Sequence, residues 1–501
     1  MHHWIIVPVV LPAIMGAFTL LVLRTTLDLA RVFSTAATVA LLGVSVMLLH
    51  GATVNGPEVY FLGDWPAPFG IVLVLDRLSA LMVVLTAFLA LVVQLYAIGT
   101  GWDRNGRHFH ALWQFQLMGV CGAFLTGDAF NLFVFFEVLL IASYGLMIHG
   151  GGRDRLKAGV QYVAYNLLGS TLFLFALATI YSVTGTLNMA DLAAKLPGLP
   201  EGDFALIRAA GVMLLMVFAI KGALVPLHFW LPATYAEAPG PVAALFAVMT
   251  KVGAYAVIRC YTLFFPEDLP ATGLLFADLL LPAALITLFV GAFGVMGARN
   301  LGRVAAFAAI TSMGTLFTAV AQFTPEATAA ALYYAVHSTL AGGALFLIAD
   351  LVISRRGTGT LTEALPPLPQ NGLLAAFFMA SAIATAGMPP LSGFLGKLLI
   401  LDATRGPDMA IVWGAILMSS FLVILGFSRA GSTLFWKSQG TPGDLPTHPA
   451  QPLAFAAVGG LLAALAVWTI AAGPATGWLE QTARMLHDPD AYIAANKLGA
   501  E

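Results

Sequence analysis

The stretch KGALVPLHFWLPATYAEAPGPVAALFAVMTKVGAYAVIR, residues 221–259, places two lysines in apolar surroundings on either side of a proline-rich interval. Lys221 lies five residues before Pro226, and Lys251 is near the centre of the apolar segment 241–262. A proline inside a helix lacks the N–H that its turn needs and leaves carbonyls of the preceding turn unpaired. The stretch therefore predicts a helix that breaks beside Lys221, followed by a helix with a lysine at its middle.

The composition of the whole chain is that of a membrane protein. Apolar residues make up 59% of the 501 residues and charged residues 10%, whereas a soluble domain has roughly 45–50% and about 25%. Mean hydropathy is +0.89, and 23 Lys and Arg against 25 Asp and Glu give a net charge of −2. These values exclude a soluble globular domain, a disordered chain and a nucleic-acid-binding protein.

No cofactor site is expected. The two cysteines, Cys121 and Cys260, lie in separate apolar runs and have no metal-ligand spacing. The sequence also lacks the phosphate loop of ATPases and the glycine fingerprint of dinucleotide-binding proteins. We therefore predict no metal, no haem or cluster, and no bound nucleotide.

The number of apolar stretches predicts an all-α integral membrane protein. A helix needs about 20 mostly apolar residues to cross the hydrocarbon core of a lipid bilayer. The fourteen stretches that satisfy this are 4–23, 32–49, 75–99, 110–127, 129–149, 158–183, 207–225, 241–262, 272–296, 301–322, 328–353, 371–402, 409–428 and 453–473. The twelfth contains Pro389 and Pro390, so we interpret it as one interrupted span, and a turn at Gly127–Asp128 separates the fourth from the fifth.

The distribution of Lys and Arg predicts the orientation. These residues are concentrated in the loops after odd-numbered spans, as at Arg24, Arg104 and Arg153, and basic loops stay in the cytoplasm. Both termini would then face outward, together with the loop 50–74, which has no Lys or Arg. We expect a multi-pass protein of the bacterial inner (cytoplasmic) membrane.

Several ionisable residues lie well inside the predicted spans: Glu137, Lys221, Lys251, His337 and Lys397. A charged residue at the bilayer centre costs about 2.5–3.5 kcal/mol on insertion scales, so such residues are usually functional. The alternative is a side chain that extends to the membrane surface. That alternative fits charges near span ends, such as Arg259 and Asp350, better than the central Glu137 and Lys251.

Three of these residues have specific hypotheses. A Glu137–Lys221 pair would be a two-state element, because Lys221 would hold its proton beside the carboxylate and release it when the pair separates. His337 has two open interpretations, proton transfer or a hydrogen bond in the protein core. Lysines at one depth would form a proton relay in the plane of the membrane.

The two helix breaks, at Pro226 and at Pro389–Pro390, each lie next to a lysine. Interrupted spans in corresponding parts of two halves are typical of transporters built from inverted repeats, although ordinary proline kinks are the alternative. The predicted organisation is 1–109 for the first three spans, 110–262 for the first inverted repeat (spans 4–8), 272–437 for the second (spans 9–13), 453–473 for the last span and 474–501 for a polar outer tail.

The run 221–259, the preceding FEVLLIASYGL (136–146) and the later GMPPLSGFLGKLLIL (387–401) resemble the antiporter-like membrane subunits. That superfamily includes proton-pumping subunits of respiratory complex I, of membrane-bound hydrogenases and of multisubunit Mrp cation/proton antiporters. Within it, the D subunits of Mrp-type (also Mnh- or Pha-type) antiporters are the most similar, because of HSTLAGGALFLIADLV (337–352) and the total length.

The resemblance implies roles residue by residue. Glu137 matches the fifth-span glutamate of the family, Lys221 the seventh-span lysine, Lys251 the eighth-span lysine, His337 the eleventh-span histidine and Lys397 the twelfth-span charged residue. One departure is Gly342, where many relatives have a lysine five residues after the histidine. The relay there would depend on His337, on water, or on nearby hydroxyl groups.

The resulting hypothesis is a proton-translocating subunit of a multisubunit Na⁺ or K⁺/H⁺ antiporter, a secondary transporter rather than an enzyme. Its partners would be protons, Na⁺ or K⁺, the lipid bilayer and other membrane subunits, with no nucleic acid. The first alternative is the proton-pumping arm of a quinone oxidoreductase or hydrogenase, in which the same five residues would act. The second is a scaffold that has lost transport, which central charges argue against.

Overall fold

The computed structural model describes residues 2–443 and 447–498. Within them the chain forms the helices α1 (Val7–Leu21), α2 (Leu27–Asn55), α3 (Arg77–Thr100), α4 (Phe109–Leu125), α5 (Ala129–Met147), α6 (Arg153–Thr184), α7 (Met189–Lys195), α8 (Phe204–Gly222), α9 (Trp230–Glu237), α10 (Gly240–Leu263), α11 (Leu275–Gly297), α12 (Leu301–Val320), α13 (Pro325–Arg356), α14 (Asn371–Ala386), α15 (Ser392–Ala403), α16 (Met409–Gly431), α17 (Pro452–Ile470), α18 (Ala472–Leu486) and α19 (Asp490–Ala495). The strands β1 (Glu58–Phe61) and β2 (Val72–Leu75) form one antiparallel pair, with Glu58 opposite Leu75.

The fold is that of an α-helical membrane protein. In the described residues, 11 helices are long and apolar enough to cross a bilayer, which confirms the predicted class. Each predicted span overlaps one helix over most of its length, except the twelfth, which overlaps two. The three that fall outside the 11 are α1, with 15 residues, α4, with 17, and the interrupted span, which divides into α14 and α15. The count of fourteen spans and the inverted repeats stay predictions.

Polar residues just before the helices determine where several of them begin. The side chain of Asp76 accepts a hydrogen bond from the backbone N–H of Ser79 in the first turn of α3, and the Ser79 hydroxyl accepts one from the backbone N–H of Asp76. Asp128 caps α5 by accepting from Asn131 N, at 2.8 Å. The first N–H groups of a helix have no partner within it, and these caps supply one.

The first break lies between α8 and α9. Helix α8 ends at Gly222, Ala223 has the left-handed conformation (φ 54°), and Pro226 follows before α9 begins at Trp230. The indole of Trp230 donates to the Ile220 carbonyl at 2.9 Å. A carbonyl near the end of α8 thus gains a partner from the protein, as irregular backbone at membrane depth requires.

The second break lies between α14 and α15. Helix α14 ends at Ala386, Gly387 is left-handed (φ 79°), and Pro389 and Pro390 precede the start of α15 at Ser392. Glycine adopts this conformation without steric cost. The sequence 371–402 is therefore two helices joined by an irregular segment.

The core of the molecule is formed by α10 and α13, which contact each other. All residues of α10 are buried, and most of α13 is. Lys251 and His337 lie on these two helices, so neighbouring helices separate both side chains from lipid. Extension of either side chain to the membrane surface is incompatible with this burial.

Short elements at the helix ends were not expected from the sequence. The loop 50–74 contains the β1–β2 hairpin, and most of the predicted tail 474–501 folds into α18 and α19, with residues 499–501 outside the described part. Helix α18 packs on α13, and the Trp478 indole donates to Thr53 Oγ1 at 3.1 Å. A 15-residue amphipathic helix has too few apolar residues to stand out beside membrane spans.

Candidate functional site

All five ionisable residues singled out from the sequence lie inside the helical bundle. The exposed fractions are 6% for Lys221, 2% for Lys251, 2% for His337 and 6% for Lys397, while Glu137 is half-buried. An isolated charge at such a position costs desolvation free energy unless it is paired or hydrogen-bonded. The partners of each group therefore define what it can do.

Glu137 and Lys221 are joined through helix α6 rather than directly. The Ser170 hydroxyl donates a hydrogen bond to Glu137 Oε1, and Lys221 Nζ donates to Asn166 Oδ1 at 2.8 Å. The ion pairs within 4.0 Å among the described residues do not include Glu137 with Lys221. The direct pair expected from the sequence is thus replaced by two neutral side chains one helical turn apart.

The Lys221 ammonium also lies near an aromatic ring of α5. Its Nζ is 5.6 Å from the centroid of the Phe136 ring, the residue next to Glu137. A cation in this position is attracted to the negative face of the ring. Helix α5 thus contributes both a carboxylate and a ring to the surroundings of Lys221.

Lys251 and His337 line the same small cavity. About 20 Å³ of it is open to the centres of water molecules, and its walls include Gly342 and hydroxyl groups of α12 and α13. This is room for one or two waters with polar partners. A Cβ at Gly342 would meet only Ala247, at 3.6 Å, so this glycine leaves space beside Lys251 that a longer side chain would occupy.

His337 lies against the second helix break. Its Nδ1 is 2.8 Å from Ser392 Oγ, the first residue of α15. At Gly393, a Cβ would collide with the Ala384 carbonyl and would lie 2.8 Å from His337 Nε2. The imidazole thus lies between the end of α14 and the start of α15, and the glycine permits this close approach.

Lys397 folds back onto the same break. Its Nζ donates to the Ala386 carbonyl at 2.8 Å and to Ser420 Oγ at 2.8 Å. The last carbonyls of a helix have no partner within it and carry partial negative charge. The broken helix therefore provides Lys397 with an acceptor that a continuous helix would not.

The five ionisable groups form two clusters, Glu137 and Lys221 in one, and Lys251, His337 and Lys397 in the other. Helices α8 and α10 are in contact between these clusters. At Gly253 of α10, a Cβ would lie 2.7 Å from Phe218 O and 3.1 Å from the carbonyl carbon of Lys221, so α8 and α10 pack backbone to backbone. No hydrogen bond between described residues joins Lys221 to Lys251. Chemically, each cluster holds groups that can both bind and release a proton.

The neutral partners were not predicted from the sequence. Asn166 and Ser170 are four residues apart on α6, in YNLLGSTLF, so they share one helix face. That spacing within an apolar run is the signal that could have identified them. Among the described residues, no three His, Cys, Asp or Glu side chains are close enough to hold a metal ion.

Arg259 is a buried partner of Asp76, not a side chain that extends to the membrane surface. Its guanidinium is 2.6 Å from Asp76 Oδ2 and donates to Oδ1 at 2.8 Å, and its exposed fraction is 3%. The ring of Tyr492, from α19, lies 5.2 Å away. The pair therefore joins α3, α10 and the C-terminal segment.

Replacing Asp76 by alanine is expected to destabilise the fold, because it leaves Arg259 charged and unpaired inside the protein. Breaking a buried ion pair from one side costs about 3–5 kcal/mol. Thermal unfolding of the detergent-solubilised protein should therefore begin at a clearly lower temperature. The double variant Asp76→Ala/Arg259→Met is the control and should recover part of the loss, whereas equal stability of the single variant and the wild type would contradict a structural pair.

Comparison with known proteins agrees with this arrangement. The family model described as "NADH:quinone oxidoreductase/Mrp antiporter, TM" matches residues 126–425, which contain all five ionisable residues. The D subunit of the Na(+)/H(+) antiporter of Bacillus subtilis (strain 168) is 38% identical over 99% of both chains, and the D subunit of a probable K(+)/H(+) antiporter of Rhizobium meliloti (strain 1021) is 37% identical over 100% of this chain and 99% of that one. A chain of the Mrp complex from Dietzia sp. DQ12-45-1b superposes with a TM-score of 0.89 at 26% identity, covering 99% of this chain and 100% of that chain. The chain therefore belongs to the NADH:quinone oxidoreductase/Mrp antiporter transmembrane family.

Proposed function

We propose that this chain is a membrane subunit of a multisubunit cation/proton antiporter and carries the proton part of the exchange. The observation that supports this most directly is the burial of Lys221, Lys251, His337 and Lys397 within one bundle, each beside a helix break, a cavity or a neutral hydrogen-bond partner. Charges held in this way are costly and have no role in simple packing.

The relay would have two halves, each with a broken helix. In the first, Lys221 binds and releases the proton, with Asn166 as the acceptor for its ammonium and Glu137, held by Ser170, as the negative charge on this side. In the second, the proton moves from Lys251 through the water-sized cavity to His337 and on to Lys397. The α8–α9 and α14–α15 breaks would open a half-channel each, in agreement with the predicted inverted repeats of spans 4–8 and 9–13.

The exchanged cation would be Na⁺ or K⁺. The names of the two relatives assign Na⁺ to one and K⁺ to the other, and the Dietzia structure is of a complex. We therefore propose other membrane subunits as partners, and the inner membrane of a bacterium as the location, with both termini on the outer side. No soluble catalytic partner is needed for this activity.

The alternative function is the proton-pumping arm of a quinone oxidoreductase, which the family description also covers. The two differ in what drives transport. Everted vesicles that contain the whole complex should exchange protons for Na⁺ or K⁺ under an imposed pH gradient without any redox substrate. Proton movement that needs NADH and quinone, with no response to either cation, would favour the alternative.

Lys397 is expected to be required for turnover, whereas a nearby surface arginine is not. Lys397→Met removes the charge that bridges the α14 carbonyl and Ser420, and antiport should fall at least tenfold. Arg405→Gln is the matched control, because Arg405 lies just after α15 with a side chain 66% exposed, next to Asp402 and the ring of Trp413. Equal loss in both variants, at equal amounts of assembled complex, would contradict a relay through Lys397.

A further inference from the structure

The ends of α1 and α3 and the starts of α2 and α4 surround a cavity of about 700 Å³ at one face of the bundle. It lies outside the region that the family model matches, and none of the five relay residues lines it. Its size is within the range of sites that take a small ligand or a headgroup.

The walls of this cavity carry unpaired positive charge. Arg24, Arg104 and Arg107 are exposed, and none of them forms an ion pair with any described residue. His108 lies among them on the same wall. Three guanidinium groups that face one cavity without a carboxylate partner are an anion-binding arrangement.

Asp103 is the carboxylate among the described residues that line the cavity, and its negative charge is already paired. It accepts hydrogen bonds from Arg31, at 2.6 Å and 2.9 Å, and its Oδ2 is 3.2 Å from His110 Nε2. Burial raises the pKa of Asp103, but the hydrogen bonds from Arg31 and His110 outweigh it and lower the pKa to about 2. Asp103 therefore stays ionised and paired, and it does not compete for the three free arginines.

The surface beside the cavity is apolar and exposed. Leu21 and Val22, at the end of α1, are 74% and 60% exposed, and Leu29, Val32 and Phe33 extend the same surface along the first turns of α2. Side chains of this kind on a membrane-spanning helix face lipid tails. A basic cavity at the end of such a surface matches a molecule with an anionic head and hydrocarbon chains. A soluble acidic peptide has no hydrocarbon chains to cover the apolar surface.

We propose that this cavity binds the headgroup of an anionic phospholipid, with the acyl chains along the apolar ends of α1 and α2. The phosphodiester would contact Arg24, Arg104 and Arg107, while Asp103 in the cavity wall stays paired with Arg31. Basic pockets between membrane helices are known to take anionic headgroups. The site would be a structural lipid site, separate from the proton relay.

Native mass spectrometry of the purified complex, titrated with diphosphatidylglycerol or phosphatidylcholine, tests this assignment. Each arginine near a membrane surface contributes about fivefold, so the variant Arg24→Gln/Arg104→Gln/Arg107→Gln should bind diphosphatidylglycerol on the order of 100-fold more weakly. Phosphatidylcholine binding should not change. The matched control is Arg153→Gln/Lys157→Gln/Arg299→Gln, which removes the same charge from exposed positions that do not line this cavity.

Three results would overturn the proposal. Equal losses in the cavity and control variants would indicate diffuse electrostatic attraction, and unchanged binding in the cavity variant would exclude the site. Displacement of the lipid by millimolar inorganic phosphate or pyrophosphate would indicate a soluble anion as the ligand. If the triple variant does not assemble, the three single variants are measured instead. Each is expected to bind diphosphatidylglycerol severalfold more weakly.

Discussion

Replacing Glu137 by glutamine is expected to reduce antiport to background while the subunit stays in the membrane. Glutamine keeps an oxygen that can accept the Ser170 hydrogen bond but removes the negative charge that α5 places beside Phe136, whose ring lies near Lys221. A buried ammonium without a counter-charge loses its proton more readily. Lys221 would then remain neutral, and the first half of the relay would lose its switch. Cation-dependent proton efflux from everted vesicles measures the effect.

The control for this variant is Glu201→Gln, which removes the same charge at an exposed position between α7 and α8. It should transport normally. Glu137→Ala should behave like Glu137→Gln, because the charge and not the hydrogen bond is decisive. Near-normal antiport in an assembled Glu137→Gln complex would show that Lys221 does not depend on this carboxylate.

The indirect link between Glu137 and Lys221 changes how the switch would operate. Asn166 and Ser170 are neutral, and each contacts only one of the two charged groups: Asn166 accepts from Lys221, and Ser170 donates to Glu137. A shift of α8 relative to α6 would then bring the Lys221 ammonium closer to the carboxylate or move it away, with Asn166 as its acceptor in the separated position. Asn166→Leu should therefore slow exchange without abolishing it, because Glu137 still attracts the proton across the gap.

The sequence predicts the charged groups of the site because their cost is visible in it. A Glu, a Lys or a His inside an apolar run of about twenty residues is conspicuous, and the prolines at 226, 389 and 390 identify both breaks in the same way. The positions of the spans also follow, since length and hydropathy determine a span in a bilayer, although α2 and α6 begin five residues before the predicted bounds. These features depend on local composition, and they need no knowledge of which helices are neighbours.

The partners of those groups depend on packing, which local composition does not specify. Ser392 and Ser420 contact His337 and Lys397 from neighbouring helices, and the sequence does not specify which of their side chains face each other. Serine is common in membrane helices, where it satisfies its hydroxyl on a carbonyl of its own helix. The pairing of Arg259 differs from the expected extension to the membrane surface for the same reason, because its partner Asp76 is far away in the sequence and lies just before α3.

His337→Gln is expected to preserve assembly and to slow proton-coupled exchange at least tenfold. The geometry allows a sharp comparison, because glutamine can still hydrogen-bond Ser392 Oγ, which is 2.8 Å from Nδ1, but cannot change its charge. Proton transfer between the cavity beside Lys251 and the break near Lys397 needs a group that both accepts and donates. At the position five residues further on, Gly342 provides space rather than a second titratable side chain.

A structural histidine predicts the opposite pattern, so the pair of variants His337→Gln and His337→Ala decides between the two roles. In that case glutamine is tolerated, and alanine damages assembly because the buried Ser392 hydroxyl loses a partner. Ser392→Ala is the matched control, since it removes the same hydrogen bond while the imidazole remains. Antiport measured from about pH 6 to pH 9 should be low throughout in His337→Gln and largely retained in Ser392→Ala. Wild-type activity of His337→Gln over that whole range would remove His337 from the relay and leave Lys251 and Lys397 to exchange protons through cavity water alone.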